Sequence, residues 1–377
     1  MNFDHTEEQA LLRRSLERFV AESYTPAQRE AYLAEPAGYR RATWSQLAEL
    51  GVLALPFAQA EGGLGGGLVD SVLVAEQFGR GLVVDPFLPT VLMAGTLIAQ
   101  LGTSDQKSVW LPRIMGGDVC LSVAHAERKG RGALSFVATH AAREGGGYRL
   151  KGGKTLVLAA DPEALIVLAR TAGATSDAAG LSCFIVPTER VTLRKHRIAD
   201  GTLAADAEFD IALPAAARLG PEGEAYEAFE DMIGRASAVL AGEAVGIMDA
   251  LMEVTLEHLR TRKQFGVPLG SFQALQHRMA DCHVALEQAR SLVIKAMIAD
   301  AEGTRTERLR AAFGAKAFAA KAGRLIGEEA VQMHGAIGLT DELSVGRYLK
   351  RLLVIHALLG DQRMQLDRYN ALAEKAG

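Results

Sequence analysis

The sequence predicts a mainly α protein with a central β domain: an N-terminal helical domain over residues 1–117, a small antiparallel β-barrel over 118–218 and a C-terminal four-helix bundle over 219–377. Three observations predict it. Apolar residues make up 49% of the 377 and aromatics only 6%, an Ala-, Leu- and Val-rich mixture suited to packed helices. Apolar side chains recur at helical spacing toward both ends of the chain, and from about Cys120 the texture changes to short β-type runs broken by glycines. At roughly 100–200 residues per domain, a chain of this length holds two or three domains.

Taken in order, Thr6 followed by Gln9 is a capping-box pattern, and Leu12, Leu16, Phe19 and Val20 continue it as an amphipathic helix. Similar stripes follow at Trp44, Leu47 and Leu50 and at Val69, Leu73, Val74 and Phe78. The run Glu61 to Gly67 between them is too glycine-rich for a regular element and reads as a loop. Strands are expected at Tyr148–Leu150, Thr155–Leu158, Leu165–Leu168, Ser182–Val186 and Glu208–Leu213, punctuated by Gly145-Gly146-Gly147 and Gly152-Gly153. Strands this close, with no helices between them, disfavour a parallel Rossmann sheet. After Gly220-Pro221 the helical period returns, through Met232 to Val254 and Met279 to Met297, then over about Glu307–Met333 and Ser344–Leu366, four long helices in all.

Lys plus Arg number 41 against 45 for Asp plus Glu, a net of −4, which supplies no basic field for nucleic acid or anionic lipid. Cys120, Cys183 and Cys282 are widely spaced and odd in number, so neither a disulfide framework nor a cysteine zinc site is indicated and a reducing cytoplasm is the expected compartment. No stretch has the length and apolarity of a membrane span, and the acidic N-terminus lacks a leader pattern. Gly130-Arg131-Gly132-Ala133-Leu134-Ser135 begins like a dinucleotide fingerprint but has Ser where the third glycine belongs, so a turn is the better reading. His277, Asp281 and His283 have helical spacing without a zinc motif and read as surface or interhelical groups.

The most informative stretch is Arg260 to His277. Basic side chains end one long helix, Gly266 and Pro268 break it, and another begins, so cations and free amides meet at a tight corner suited to a pyrophosphate. A helical hairpin whose cations answer the helix dipole is the competing reading of that stretch alone. It is joined by Gln332-Met333-His334-Gly335 downstream and by Gly147 to Lys154 upstream. Together, on a helix, β, helix chain, these segments resemble the acyl-CoA dehydrogenase family over essentially the full length, with R-x-Q-F-G followed by F-Q-x-x-Q-H as the specific signature.

The resemblance implies FAD lying between the β domain and the C-terminal bundle, with a neighbouring subunit closing over its adenosine half. It implies that Arg262 and Gln264 contact the pyrophosphate, that Phe265 packs on the dinucleotide, and that Phe272, Gln273, Gln332 and Gly335 meet FAD across a subunit boundary. Guanidinium forks match phosphate oxygens, and glycine permits close backbone approach. It further implies an acyl-CoA substrate, fatty or dicarboxylic acid degradation, an electron-transfer flavoprotein as acceptor, and a homo- or hetero-oligomer with a related chain.

Departures from the family pattern are equally specific. Its T-E-P-x-x-G-S-D motif reads Ala126 to Ala133 here, keeping Glu127 as a cofactor-side candidate together with one glycine. Its Trp-Ile-Thr reads Leu156-Val157-Leu158. The glutamate that removes the α-proton of the thioester precedes a glycine, where this chain has Leu359-Gly360-Asp361, and the alternative base position falls at Ala236. Asp361 and Glu243 are the candidate substitutes, with His356 one turn before Leu359. A cap for Asp361 and a structural hydrogen bond for Glu243 are the competing roles. Three readings stay open: a flavin-dependent desaturase, a partner subunit that shapes the FAD site without a base, and a flavin fold turned to other thioester binding.

Overall fold

The computed structural model describes residues 5–159, 161–340 and 342–374. In chain order the helices α1 (Glu7–Ser23), α2 (Pro26–Ala34), α3 (Arg41–Glu49), α4 (Leu68–Gly81), α5 (Thr96–Leu101) and α6 (Ser104–Met115) come first. Strands β1 (Leu121–Ala124), β2 (His140–Glu144), β3 (Gly147–Leu158), β4 (Ala164–Arg170), β5 (Leu181–Pro187), β6 (Thr192–Arg197), β7 (Leu203–Pro214) and β8 (Arg218–Leu219) follow. The long α7 (Tyr226–Thr261) leads into a hairpin of β9 (Lys263–Gln264) and β10 (Val267–Pro268), and then come α8 (Gln273–Glu302), α9 (Arg305–His334), α10 (Val345–Ala357) and α11 (Gln362–Glu374). The chain divides into two compact units, one of Met1–Arg29, Leu68–Val83 and Ser237–Gly377, the other of Glu30–Gly67 and Val84–Ala236.

In the first unit, α1 starts with the expected capping box: the Thr6 hydroxyl accepts from the Gln9 amide at 3.2 Å and the Gln9 side chain accepts from the Thr6 amide at 3.1 Å. α4 and α7 approach backbone to backbone, because a Cβ on Gly79 would strike the Glu243 carbonyl and one on Gly246 would strike that of Glu76. α9 is the central helix, packed against α8, α10 and α11. Its buried face is largely alanine from Ala311 to Ala330, which costs no rotamer entropy and brings neighbours close. Three of the four expected long helices are continuous, at 36, 30 and 30 residues. The fourth is split into α10 and α11, because Leu359 and Gly360 take φ of 58° and 109° and a right-handed helix cannot pass through them.

In the second unit a single sheet runs β6-β7-β3-β2-β4-β5-β8, with β1 added against β4. The expected antiparallel barrel is corrected on two counts: among the described residues the sheet is not closed, and its pairing is mixed. β1 pairs β4 in parallel from Leu121↔Ala164 to Ala124↔Val167, because the β2–β3 hairpin intervenes and returns the chain in the original direction. The two strands expected at Tyr148–Leu150 and Thr155–Leu158 are one strand, β3, with a bulge after Lys154. Gly145 and Gly146, at φ 56° and 80°, make the two-residue turn between β2 and β3. β4 is buried along its whole length, and Leu150, Val167, Phe184 and Phe209 form the core about it.

Candidate functional site

The corner after α7 belongs to the first unit. β9 and β10 pair as Gln264↔Val267 and Lys263↔Pro268, leaving Phe265-Gly266 as a two-residue turn with φ of 52° and 84°, the left-handed pair that such a hairpin requires. Phenylalanine carries no preference for that conformation, yet Phe265 adopts it and is 93% exposed. Its ring meets the edge of Phe272, with centroids 6.3 Å apart and planes at 90°. The Leu269 amide donates to the Arg262 carbonyl at 2.8 Å and fixes the hairpin's base. Arg262, Lys263, Gln264 and Gln273 are exposed and Phe272 half-buried; among the described residues no ion pair takes up the Arg262 guanidinium.

Gln332 is exposed near the end of α9, and Gly335 leaves that helix at φ 67° with open space where a Cβ would sit. The two helix ends meet through a contact that the sequence does not announce: His258, four residues before Arg262, stacks on His334, immediately before Gly335, with ring centroids 4.3 Å apart. The stack joins the last turn of α7, which leads to Arg262, to the end of α9, which carries Gln332 and precedes Gly335. A guanidinium without an ion pair, an exposed aromatic ring and a glycine with open space are of the chemistry that fits a pyrophosphate bearing a flat ring system.

Glu127 lies in the second unit, in a buried pair with Lys154 at 2.8 Å, with side chains 7% and 0% exposed. Its oxygens also accept from the Ala138 and Thr139 amides at 2.9 and 3.0 Å, so this carboxylate fastens both ends of the segment between Glu127 and Thr139. Burial opposes its charge, but the Lys154 ammonium and the two amides outweigh burial and hold its pKa below the usual range. Burial brings Lys154 down to about 8, with Glu127 pulling the other way. A cavity of about 340 Å³ opens beside the pair, lined also by Arg128, Thr155 and Asp206. Leu156, in the bulge at φ 53°, donates its amide to Asp206 at 3.4 Å.

The two carboxylates expected as candidate bases, Glu243 and Asp361, are in the first unit. Both oxygens of Glu243 are taken up by Arg351, at 2.6 and 3.0 Å, with the side chains 12% and 15% exposed. Asp361 caps α11, its Oδ1 accepting from the Met364 amide at 2.9 Å. Leu359 is buried in its left-handed conformation, and its carbonyl accepts from Arg368 at 2.6 Å and Gln365 at 3.0 Å, which holds the turn rigidly. His356 has a buried Nδ1 with no hydrogen-bond partner among the described residues. Lys316 on α9 is wholly buried and its ammonium has none either. Burial, reinforced by Arg368 and opposed by Asp361, brings it down to about 7. No group of three or more His, Cys, Asp or Glu side chains able to hold a metal occurs among the described residues, and no described helix is long and apolar enough to cross a membrane.

Residues 6–118 match the family described as acyl-CoA dehydrogenase, N-terminal domain, and residues 227–371 match acyl-CoA dehydrogenase, C-terminal domain. The chain belongs to the acyl-CoA dehydrogenase family. It is 27% identical over 359 residues to the probable acyl-CoA dehydrogenase YngJ of Bacillus subtilis, covering 93% of each chain. Among solved structures it is similar to butyryl-CoA dehydrogenase from Megasphaera elsdenii, with 25% identity and a TM-score of 0.91 over 99% of this chain and 100% of that one. It is likewise similar to a chain of the ChsE4-ChsE5 complex from Mycobacterium tuberculosis, with 26% identity and a TM-score of 0.89 over 100% and 99%. FAD is the cofactor of this family, and the residues at the Arg262 corner fit it.

Proposed function

We propose that the chain is a FAD-dependent acyl-CoA dehydrogenase that introduces an α,β double bond into an acyl-CoA thioester while assembled with a related chain. The observation that supports this reading is a cofactor motif joined in one sequence to an altered base motif: Arg262, Gln264 and Phe265 keep the residue types of the family's corner, while Leu359 and Ala236 stand where its carboxylate is expected. Arg262 and Gln264 would hold the pyrophosphate, Phe265 and Phe272 would cover the dinucleotide, and Gln273, Gln332 and Gly335 would line its path. When bound, FAD supplies the two-electron acceptance by which the β-hydrogen leaves as hydride.

The α-proton needs a base. Both Glu243 oxygens are engaged by Arg351, whereas Asp361 uses only Oδ1 as a cap and its Oδ2 receives no hydrogen bond among the described residues. Asp361 is therefore the better-placed acceptor in this chain. A second reading, favoured by the apolar residues at 359 and 236, leaves the base to a related partner and makes this chain the completer of the FAD site. The sequence also has a suspected resemblance to the small subunit of pimeloyl-CoA dehydrogenase in Ala34-Glu35-Pro36, Glu61-Gly62-Gly63, Thr261–Phe265, Ser271–His277 and Val345–Tyr348, and a matched structure is named as a complex of two chains, ChsE4 and ChsE5. Both support pairing. An electron-transfer flavoprotein is the expected acceptor.

The spectrum and subunit composition of the native protein test the proposal. Yellow protein with about one FAD per site, a co-purifying related chain and acyl-CoA-dependent flavin bleaching are expected. Desaturation that requires the second chain and survives Asp361→Asn selects the second reading. A folded native assembly without flavin, and unable to take it up, overturns both.

A further inference from the structure

His258 lies in the last turn of α7 and His334 is the last residue of α9, and each stands next to a part of the proposed cofactor corner: the Arg262 amide donates to the His258 carbonyl at 2.9 Å, and Gly335 directly follows His334. The His334 ring is 94% buried by its 6% exposure, and its Nδ1 donates to the Ala330 carbonyl at 2.8 Å. A carbonyl can only accept, so the proton on that nitrogen is fixed, and with it the plane of the ring. The His258 ring lies on this fixed plane at 29° and a 4.3 Å centroid distance. The stack is thus a side-chain link between two helix ends that carry the proposed pyrophosphate clamp on one side and the glycine opening on the other.

We infer that the His258–His334 stack is the strut that sets the spacing between Arg262 and the Gln332–Gly335 segment, making both histidines positioning residues for a diphosphate-linked dinucleotide. The inference rests on the FAD reading. A bidentate guanidinium gains its advantage over a point charge only when its fork is oriented, so a strut beneath Arg262 governs affinity without touching ligand. Burial, the facing His334 ring and the Arg262 charge all lower the His258 pKa.

The test is a titration of the flavin-stripped full-length protein with FAD, following flavin fluorescence at pH 8, for wild type, His258→Ala, His258→Phe, Arg262→Ala and the His258→Ala/Arg262→Ala double variant. His258→Ala is expected to raise Kd about tenfold and His258→Phe, which keeps a flat ring on His334, to restore it to within about threefold. In the Arg262→Ala background, removing His258 should change Kd less than about twofold, because the strut acts through that guanidinium. A His258→Ala affinity equal to wild type overturns the inference and leaves the cofactor reading standing, as does a tenfold loss that persists undiminished without Arg262. Failure of His258→Phe to recover affinity, with its circular dichroism unchanged, also overturns it. Wild type that takes up no FAD overturns the cofactor reading and this inference with it.

Discussion

Glu243→Gln separates a structural carboxylate from a catalytic one. Glu243 and Arg351 make two hydrogen bonds at 2.6 and 3.0 Å with only 12% and 15% of their side chains exposed. Breaking a buried pair by removing one partner costs about 3–5 kcal/mol, since the other charge stays behind unpaired. The slight exposure, and the amide oxygen that glutamine keeps, place this case nearer 2–3 kcal/mol. For a unit of roughly 150–250 residues a kilocalorie moves the midpoint about 2–4 °C, so a fall of about 5–10 °C is expected in a thermal melt. Arg351→Met should cost at least as much, and the Glu243→Met/Arg351→Met double variant less than the sum of the single ones. Flavin reduction by an acyl-CoA, measured in a single turnover well below the midpoint, should stay within about tenfold of wild type for Glu243→Gln, since a lost general base costs roughly a hundredfold or more. An unchanged melt with a rate lowered a hundredfold refutes the assignment and returns Glu243 to the chemistry.

Lys316→Met should stabilise the protein in a pH-dependent way. The folded chain gives up this proton at about 7 and the unfolded chain only near the usual lysine value, so the native penalty grows as pH falls from about 10 to 7 and is constant below that. The variant's gain in denaturant midpoint should follow the same course and reach on the order of a few kcal/mol; a gain independent of pH refutes it. Lys154→Met leaves the Glu127 carboxylate buried without its cation, so a loss of about 3–5 kcal/mol and faster proteolysis between residues 128 and 138 are expected, both smaller when Glu127→Gln is added. Leu359→Glu puts a carboxylate on the rigid turn and should raise desaturation with an artificial acceptor at least about tenfold. Leu359→Gln is the control, and an equal rate for the two variants excludes proton removal from that position.

What was legible in the sequence was local. The Thr6–Gln9 box and the R-x-Q-F-G corner are written within a few residues, and their side chains meet or face solvent together whatever the rest of the chain does. Sheet closure is a matter of which distant edges pair, and alternation along Leu165–Leu168 or Ser182–Val186 carries no information on it. The split of the last helix was half-written: Gly360 followed by Asp361 is a stop and a new cap, but a leucine at φ 58° has no signature, because its conformation is imposed by Arg368 and Gln365 on its carbonyl. The candidate site divides the same way. Arg262, Gln264 and Phe265 are candidates named by one short stretch, while the His258–His334 stack and the Glu243–Arg351 pair join positions far apart, the latter by 108 residues.

The Glu243–Arg351 pair follows a rule of burial. A carboxylate flanked by Ala241, Gly242, Ala244 and Val245 sits on a face that must be buried, and a buried carboxylate requires a cation or several amides. The cation has to come from the inner face of a neighbouring helix, and in α10 Arg351 is set beside Leu352 and four residues before Ile355, both of them buried. The same rule applied to Lys316, on the alanine face of α9, demands an acid. Asp361 is the carboxylate whose charge reaches it, and it is already committed to capping α11. One carboxylate therefore faces two demands, a helix cap and a buried ammonium, and under the proposed function a third, the α-proton of a substrate. Asp361→Asn keeps the capping oxygen and removes the charge, so it should leave α11 intact while lowering the pH at which Lys316 takes up its proton. Only the catalytic reading requires it to slow flavin reduction as well.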